Sequence, residues 1–185
     1  EIHDGRHRLS FDMLGMFSFR ELTVQDTIRL WTTWLSRVGV VPTHVTVHPD
    51  RREWERWWEP SGFEVRPDPD CTWSDGDEVG YCTELYVGEC EIGNIVNPHG
   101  DCIDVGFGLD RLGIMLGDPP PRPDDILRDA VIRILDSGYR PGNKRQGYVL
   151  RRLLRRMVHD GIGLDHPVYL DEIERQRRQR FRFRR

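Results

Sequence analysis

Cys82–Leu112 reads CTELYVGECEIGNIVNPHGDCIDVGFGLDRL, and this stretch decides the fold. Cys82–Val87 and Cys90–Val96 are rich in β-branched, aromatic and aliphatic side chains and are separated by Gly88, the pattern of an antiparallel meander. Cys102–Val105 reads as a third strand running into Gly106, and a helix is expected from about Leu109. Upstream, residues 9–19 (LSFDMLGMFSF) are dense in apolar side chains and predict a buried strand with a Gly irregularity. Thr23 and Asp26 form a capping-box pair ahead of Ile28, Trp31, Leu35 and Val38, whose spacing predicts an amphipathic helix over residues 24–37. His44 to His48 alternates as a strand, and a short helix with a Trp-rich face is expected over Arg51–Trp58. Residues 59–80, rich in Pro, Asp and Gly, read as a loop around Trp73.

Downstream, the run DPPPRPDD (residues 118–125) stops the helix and forms a stiff linker. Beyond it, Asp124–Asp136, Gln146–His159 and Val168–Arg180 all read as helices. Strands first and helices last predict an α+β fold with a helical C-terminal extension. The expected organisation is a core over residues 1–118, a Pro-rich linker at 119–123 and the extension at 124–185.

The chain has 185 residues, which suits one domain or one domain with a helical appendage. Hydrophobic residues at 37% supply a core, which excludes general disorder. No run reaches about 18 consecutive apolar residues, so no membrane span is expected. The first residue is Glu1 and no basic-then-apolar leader follows it, so a cytoplasmic location is expected. The net charge of −4 conceals an asymmetry: residues 139–185 carry fourteen Lys/Arg against five Asp/Glu, a balance of +9 that leaves −13 for the rest. A basic end on an acidic body suits a polyanion, nucleic acid first, although a solvated Arg-rich helix would have the same composition.

Cys71, Cys82, Cys90 and Cys102 contain no CxxC pair, and neither His3/His7 nor His44/His48 has a third ligand nearby in sequence. No metal site is therefore expected, and the thiols are expected to be reduced and structural.

Three segments carry chemistry. Gly106-Phe107-Gly108-Leu109-Asp110-Arg111 puts glycines at a strand-to-helix junction, where a ligand can approach the backbone and Arg111 can pair with phosphate. Gly-x-Gly is also the mark of an ordinary turn. Asp104 and Asn94, on neighbouring strands, would suit an ammonium group by charge and by hydrogen bond; the spacing alone favours a surface carboxylate and a turn amide. In Gln146–His159, Arg151, Arg152, Arg155 and Arg156 form i, i+4 pairs on one helix face, with Val149, Leu150, Leu153, Leu154 and Met157 on the other. Like charges crowded on one face repel unless anions meet them, which points to phosphates.

Together these segments resemble the catalytic region of the alanyl-tRNA synthetase family, class II aminoacyl-tRNA synthetases. RPGNKRQGYVLRRLLRRMVHDG (Arg140–Gly161) resembles the family's Asn-x-x-x-Gly-Tyr-Val-Leu-Arg-Arg signature. RHRLSFDMLGMFSF (Arg6–Phe19) is similar to the second half of class motif 2, and DVGFGLDRL (Asp104–Leu112) to class motif 3. EIGNIV (Glu91–Val96) and CTEL (Cys82–Leu85) also have counterparts, in family order.

The resemblance implies a class II synthetase-like antiparallel sheet with flanking helices, acting as an alanine–tRNA ligase-type enzyme on ATP with Mg²⁺. Catalytic roles fall to Arg111 and Asp104. Phe11, Arg6, Gly108 and Arg111 would bind ATP, with Phe11 stacking on the adenine. Trp73, Asn94, Val96, Asp104 and Gly106 would bind alanine or another small amino acid. Asn143, Arg151, Arg152, Arg155 and Arg156 would contact the tRNA acceptor stem.

There are departures. Class motif 1 and the first strand of motif 2 do not appear in the sequence. Met16 stands for the usual Asn, Val105 for Thr, and Gly93 for Trp, which is expected to widen the amino-acid pocket. The implied function is activation of alanine and transfer to tRNA; the alternatives are transfer to another acceptor or a catalytically inactive RNA-binding paralogue.

Overall fold

The computed structural model describes residues 9–182 as two compact units, residues 11–120 and residues 121–182 with 9–10. The first unit carries one seven-stranded sheet: β1 (Met13–Phe19), β2 (His44–Val47), β3 (Glu64–Pro67), β4 (Thr72–Asp75), β5 (Glu78–Val87), β6 (Cys90–Asn97) and β7 (Cys102–Gly108). Their order is β1-β7-β6-β5-β2-β3, with β4 paired to β5 off that path. Helices α1 (Val24–Val38), α2 (Glu53–Trp58) and α3 (Leu109–Met115) complete it, so the architecture is mixed α+β.

The β5–β6–β7 meander follows from its composition, and β7 runs three residues beyond its expected end, through Gly108. Helix α1 begins where the capping box puts it: Thr23 Oγ1 accepts the Asp26 N–H at 3.1 Å, and Asp26 answers through the Thr23 backbone and hydroxyl. One face of the sheet buries Val45, Val47, Leu85, Ile95, Ile103, Val105 and Phe107 with Ile28, Trp31 and Leu35 of α1 and Trp54 and Trp58 of α2. Each such side chain, removed from water, contributes about 1.5–3 kcal/mol.

Three expectations are corrected. Residues 59–80 are not a loop but contain β3, β4 and the start of β5. The sheet is not wholly antiparallel: β2 and β3 pair in parallel, because the helical segment between them returns the chain to the same end. Residues 9–19 do not form a buried strand; β1 is shorter and lies at the sheet edge. Alternation turns Leu14 and Met16 toward the core and leaves Phe17 and Phe19 68% and 69% exposed on the other face.

The second unit contains α4 (Pro123–Asp136), α5 (Arg145–Asp160) and α6 (Pro167–Arg182). Leu127, Ala130, Val131, Leu135, Leu150, Leu153, Leu154, Met157, Ile162 and Tyr169 form its own core. The Tyr169 hydroxyl donates to the Ile162 carbonyl at 2.6 Å, tying α6 to the turn after α5.

Candidate active site

The face of the sheet opposite the helix-covered core is where the candidate residues meet. In the antiparallel register Glu84 pairs with Asn94 and Asn94 with Gly106, while Cys82 pairs with Val96 and Val96 with Asp104. Residues directly opposite, and those two apart on a strand, share a face. Asp104, Asn94, Val96 and Gly106 therefore occupy one patch, the first three with side chains on the same side. Asn94 extends over Gly106: a Cβ built at Gly106 would lie 3.7 Å from Asn94 Oδ1. Trp73, from β4, packs against Cys71, Cys82 and Val96 and closes one end of the patch. Five residues predicted to hold an amino acid, from three separate strands, thus converge.

Asp104 is half-buried, and burial alone pushes its carboxyl above the usual aspartate range. Among the described residues no hydrogen bond or ion pair reaches its carboxylate. Such a group has lost part of its hydration without gaining a cation, which favours a cationic ligand.

Arg111 lies in the first turn of α3, and its aliphatic stem passes over Gly108, the residue that caps the helix. Its guanidinium donates to the Glu91 backbone carbonyl and sits 3.2 Å from the Glu91 carboxylate. Phe11 precedes β1 and is exposed, free to receive a flat ring. Arg6 lies outside the described residues.

Gly93 does not widen this pocket. It sits on the opposite, core-facing side, where a Cβ would come within 2.4 Å of the Phe107 ring. Phe107, stacked on Trp31 at 4.7 Å between ring centroids, fills the space that a side chain at position 93 would need.

Residues the sequence reading did not single out share the polar face. Glu84 is raised above the usual glutamate range by burial, and it accepts the Tyr86 hydroxyl at 2.7 Å. Tyr86 is itself pushed up, chiefly by burial and then by that bond. The signal was present as alternation: Cys82, Glu84 and Tyr86 face one side while Thr83 and Leu85 are buried on the other. The His44/His48 pair does not converge on a ligand. His44 stacks on Tyr86, and the His48 ring nitrogen accepts the Asp50 N–H to cap the turn Pro49–Arg51.

In the second unit, Asn143 and Arg151 are joined, the guanidinium donating to Asn143 Oδ1. The turn is set by Gly147: the Gly142 N–H donates to its carbonyl, and a Cβ there would meet the Arg140 carbonyl at 2.8 Å. Arg152, Arg155 and Arg156 are exposed, while Leu150, Leu153, Leu154 and Met157 are buried. Val149 is corrected from the apolar face to the surface; three residues before Arg152 and seven before Arg156, it belongs to their row. Arg156 pairs with Asp160 at 3.2 Å.

No protein-family model matches the chain. It is 26% identical to the alanine–tRNA ligase of Desulfitobacterium hafniense over 91% of its length, and 26% identical to that of Chlamydia trachomatis over 92%. Against the alanine–tRNA ligase of Oleidesulfovibrio alaskensis the identity is 27% over 86%. The first of these alignments runs over 244 positions, more than the chain's 185 residues, so the relative carries insertions along the shared segment. The chain spans about 28% of the length of the relatives it matches. Nearly all of it is therefore similar to a segment of alanine–tRNA ligases, and the likeness is to that segment alone.

Proposed function

We propose that the chain activates alanine, or another small amino acid, with ATP and passes the acyl group to the 3′ end of a tRNA, on a class II synthetase-like sheet. The observation that carries this reading is the single patch formed by Asp104, Asn94, Val96, Gly106 and Trp73, with Arg111 on the same unit. The likeness to alanine–tRNA ligases supports it.

In the proposed reaction a carboxylate oxygen of the amino acid attacks the α-phosphorus of ATP and pyrophosphate leaves. A ribose hydroxyl of the tRNA then attacks the acyl carbon, and AMP leaves. Asp104 holds the substrate ammonium by charge and Asn94 by its amide oxygen, while Trp73 and Val96 restrict the space for the side chain. Arg111 offers its remaining N–H donors to phosphate oxygens, and Phe11 a face for the adenine. No side chain acts as nucleophile, so positioning and charge stabilisation carry the rate. Mg²⁺ is a hard cation suited to oxygen donors, and the Glu91 carboxylate next to Arg111 fits it; when bound with ATP the ion would neutralise phosphate charge. In the second unit Asn143 and the α5 arginines would meet the acceptor stem.

The test is alanine-dependent ATP–pyrophosphate exchange by the 185-residue chain, with glycine and serine alongside and Asp104→Ala as control. Exchange that requires alanine and is lost in the variant is expected. A folded chain that exchanges with none of the three would overturn the reading in favour of RNA binding alone.

A further inference from the structure

Cys71 and Cys82 are eleven residues apart, a spacing with no metal signature, yet the sheet brings them side by side. Thr72 pairs with Tyr81 across β4 and β5, so the next position outward sets Cys71 opposite Cys82, and the Cys82 N–H donates to the Cys71 carbonyl at 3.1 Å. Glu84, two residues on from Cys82, shares its face. The two Sγ atoms and a Glu84 carboxylate oxygen all lie within 4.8 Å of one another. We propose that Cys71, Cys82 and Glu84 bind one thiophilic divalent cation, Zn²⁺ in the first instance.

The donor set is the argument. Two thiolates and one carboxylate are ligands that tetrahedral zinc accepts, and three protein ligands leave a fourth position open. Zn–S and Zn–O bonds of about 2.3 and 2.0–2.2 Å put tetrahedral donors about 3.5–3.8 Å apart, so closure onto an ion asks for movements of about an ångström. Both thiols are buried, and Glu84 is half-buried, so the site is closed on the inside and reached from the carboxylate side.

Neighbouring groups hold the ligands in place. Thr46 Oγ1 lies 2.8 Å from Cys71 Sγ, the Tyr86 hydroxyl holds the Glu84 carboxylate, and the Cys71 N–H donates to the Asp68 carbonyl. Asp68 and Glu91 both lie close enough to disfavour the Glu84 charge; Glu91 is paired with Arg111 at 3.2 Å, which leaves Asp68 as the acidic group that adds to the field favouring a cation. Trp73 and Val96 border the cysteines, so the open position would face the patch that holds Asp104 and Asn94. The inference rests on ligand geometry and stands whether or not the chain activates an amino acid.

The reduced full chain, freed of metal, is titrated anaerobically with Co²⁺ alone and then with Zn²⁺. A thiolate-to-cobalt charge-transfer band that saturates at one equivalent and is erased by Zn²⁺ is expected. Cys71→Ser and Cys82→Ser should abolish the band, Cys90→Ser should leave it intact, and Tyr86→Phe should weaken binding by about tenfold. Far-UV circular dichroism checks folding. Glu84→Gln, at a half-buried position, gives a second variant that should weaken binding without loss of the fold. Absence of the band in the folded wild-type chain overturns the proposal, as does a band that survives in the folded Cys71→Ser and Cys82→Ser variants. A Cys71–Cys82 disulfide whose reduction restores no cobalt uptake would overturn it too.

Discussion

Asp104 shows at the scale of one residue how partial burial of a carboxylate costs the fold. Its carboxyl is held above the usual aspartate range by burial, with no compensating partner among the described residues. A raised native pKa means that the folded state binds the proton more tightly than the unfolded one, so the ionised group opposes folding at neutral pH. The cost lessens as pH falls through the raised native value and is gone below the ordinary aspartate value of 3.8. Asp104→Asn should therefore melt at a higher temperature than the wild type at pH 7, with the gap closing under acid conditions, and should lose alanine binding. A variant that is less stable at pH 7 would mean that Asp104 holds the sheet together. Sequence spacing alone put Asp104 and Asn94 on neighbouring strands and favoured an ordinary surface carboxylate. Spacing could not show the partial burial of Asp104, which depends on elements distant in the chain. Gly93 gives the opposite lesson: its departure from the family pattern looked like a change in the pocket, and the side it faces makes it an accommodation to Phe107.

Helix α5 was legible in the sequence, Val149 apart, because its signal is local. Leucines and methionine at 3.6-residue spacing choose the buried face, and the arginines are left outside. Their exposure is not by itself a function, since a surface arginine is stable in water. Arg155 is exposed, whereas Arg151 is tied to Asn143 and lies 5.7 Å from the Tyr148 ring centroid. If α5 meets an acceptor stem, replacing both Arg151 and Arg155 by Ala should weaken tRNA binding and reduce the slope of log K against log salt by about 2, one for each lost phosphate contact. A slope equal to the wild type's would remove the helix from the interface. The strand elements were less legible. Residues 59–80 carry so many turn formers that they read as loop, while β3 and β4 are held by pairing with β2 and β5. Pairing energy of that kind has no local signature.

For the whole molecule, residues 11–120 and 121–182 keep separate cores: one of strands and tryptophans, the other of helix-borne leucines. The boundary falls in the run of prolines, where Leu116 is exposed just ahead. Limited thermolysin digestion should therefore cut near Leu116–Asp118 and release two resistant fragments. Cleavage spread evenly through both units, with no resistant fragment, would show that neither core is self-sufficient. The sequence by itself determined the helices, the cap of α1, the meander and the basic character of the C-terminal quarter, because periodicity, capping and charge act over a few residues. Only the tertiary structure decided which strand is an edge, that β2 and β3 run in parallel, and that Trp73, Asn94, Val96, Asp104 and Gly106 share one face. It alone set Cys71 beside Cys82. Those outcomes depend on strand register and on which face the helices cover, and both are fixed by contacts between residues far apart in the chain.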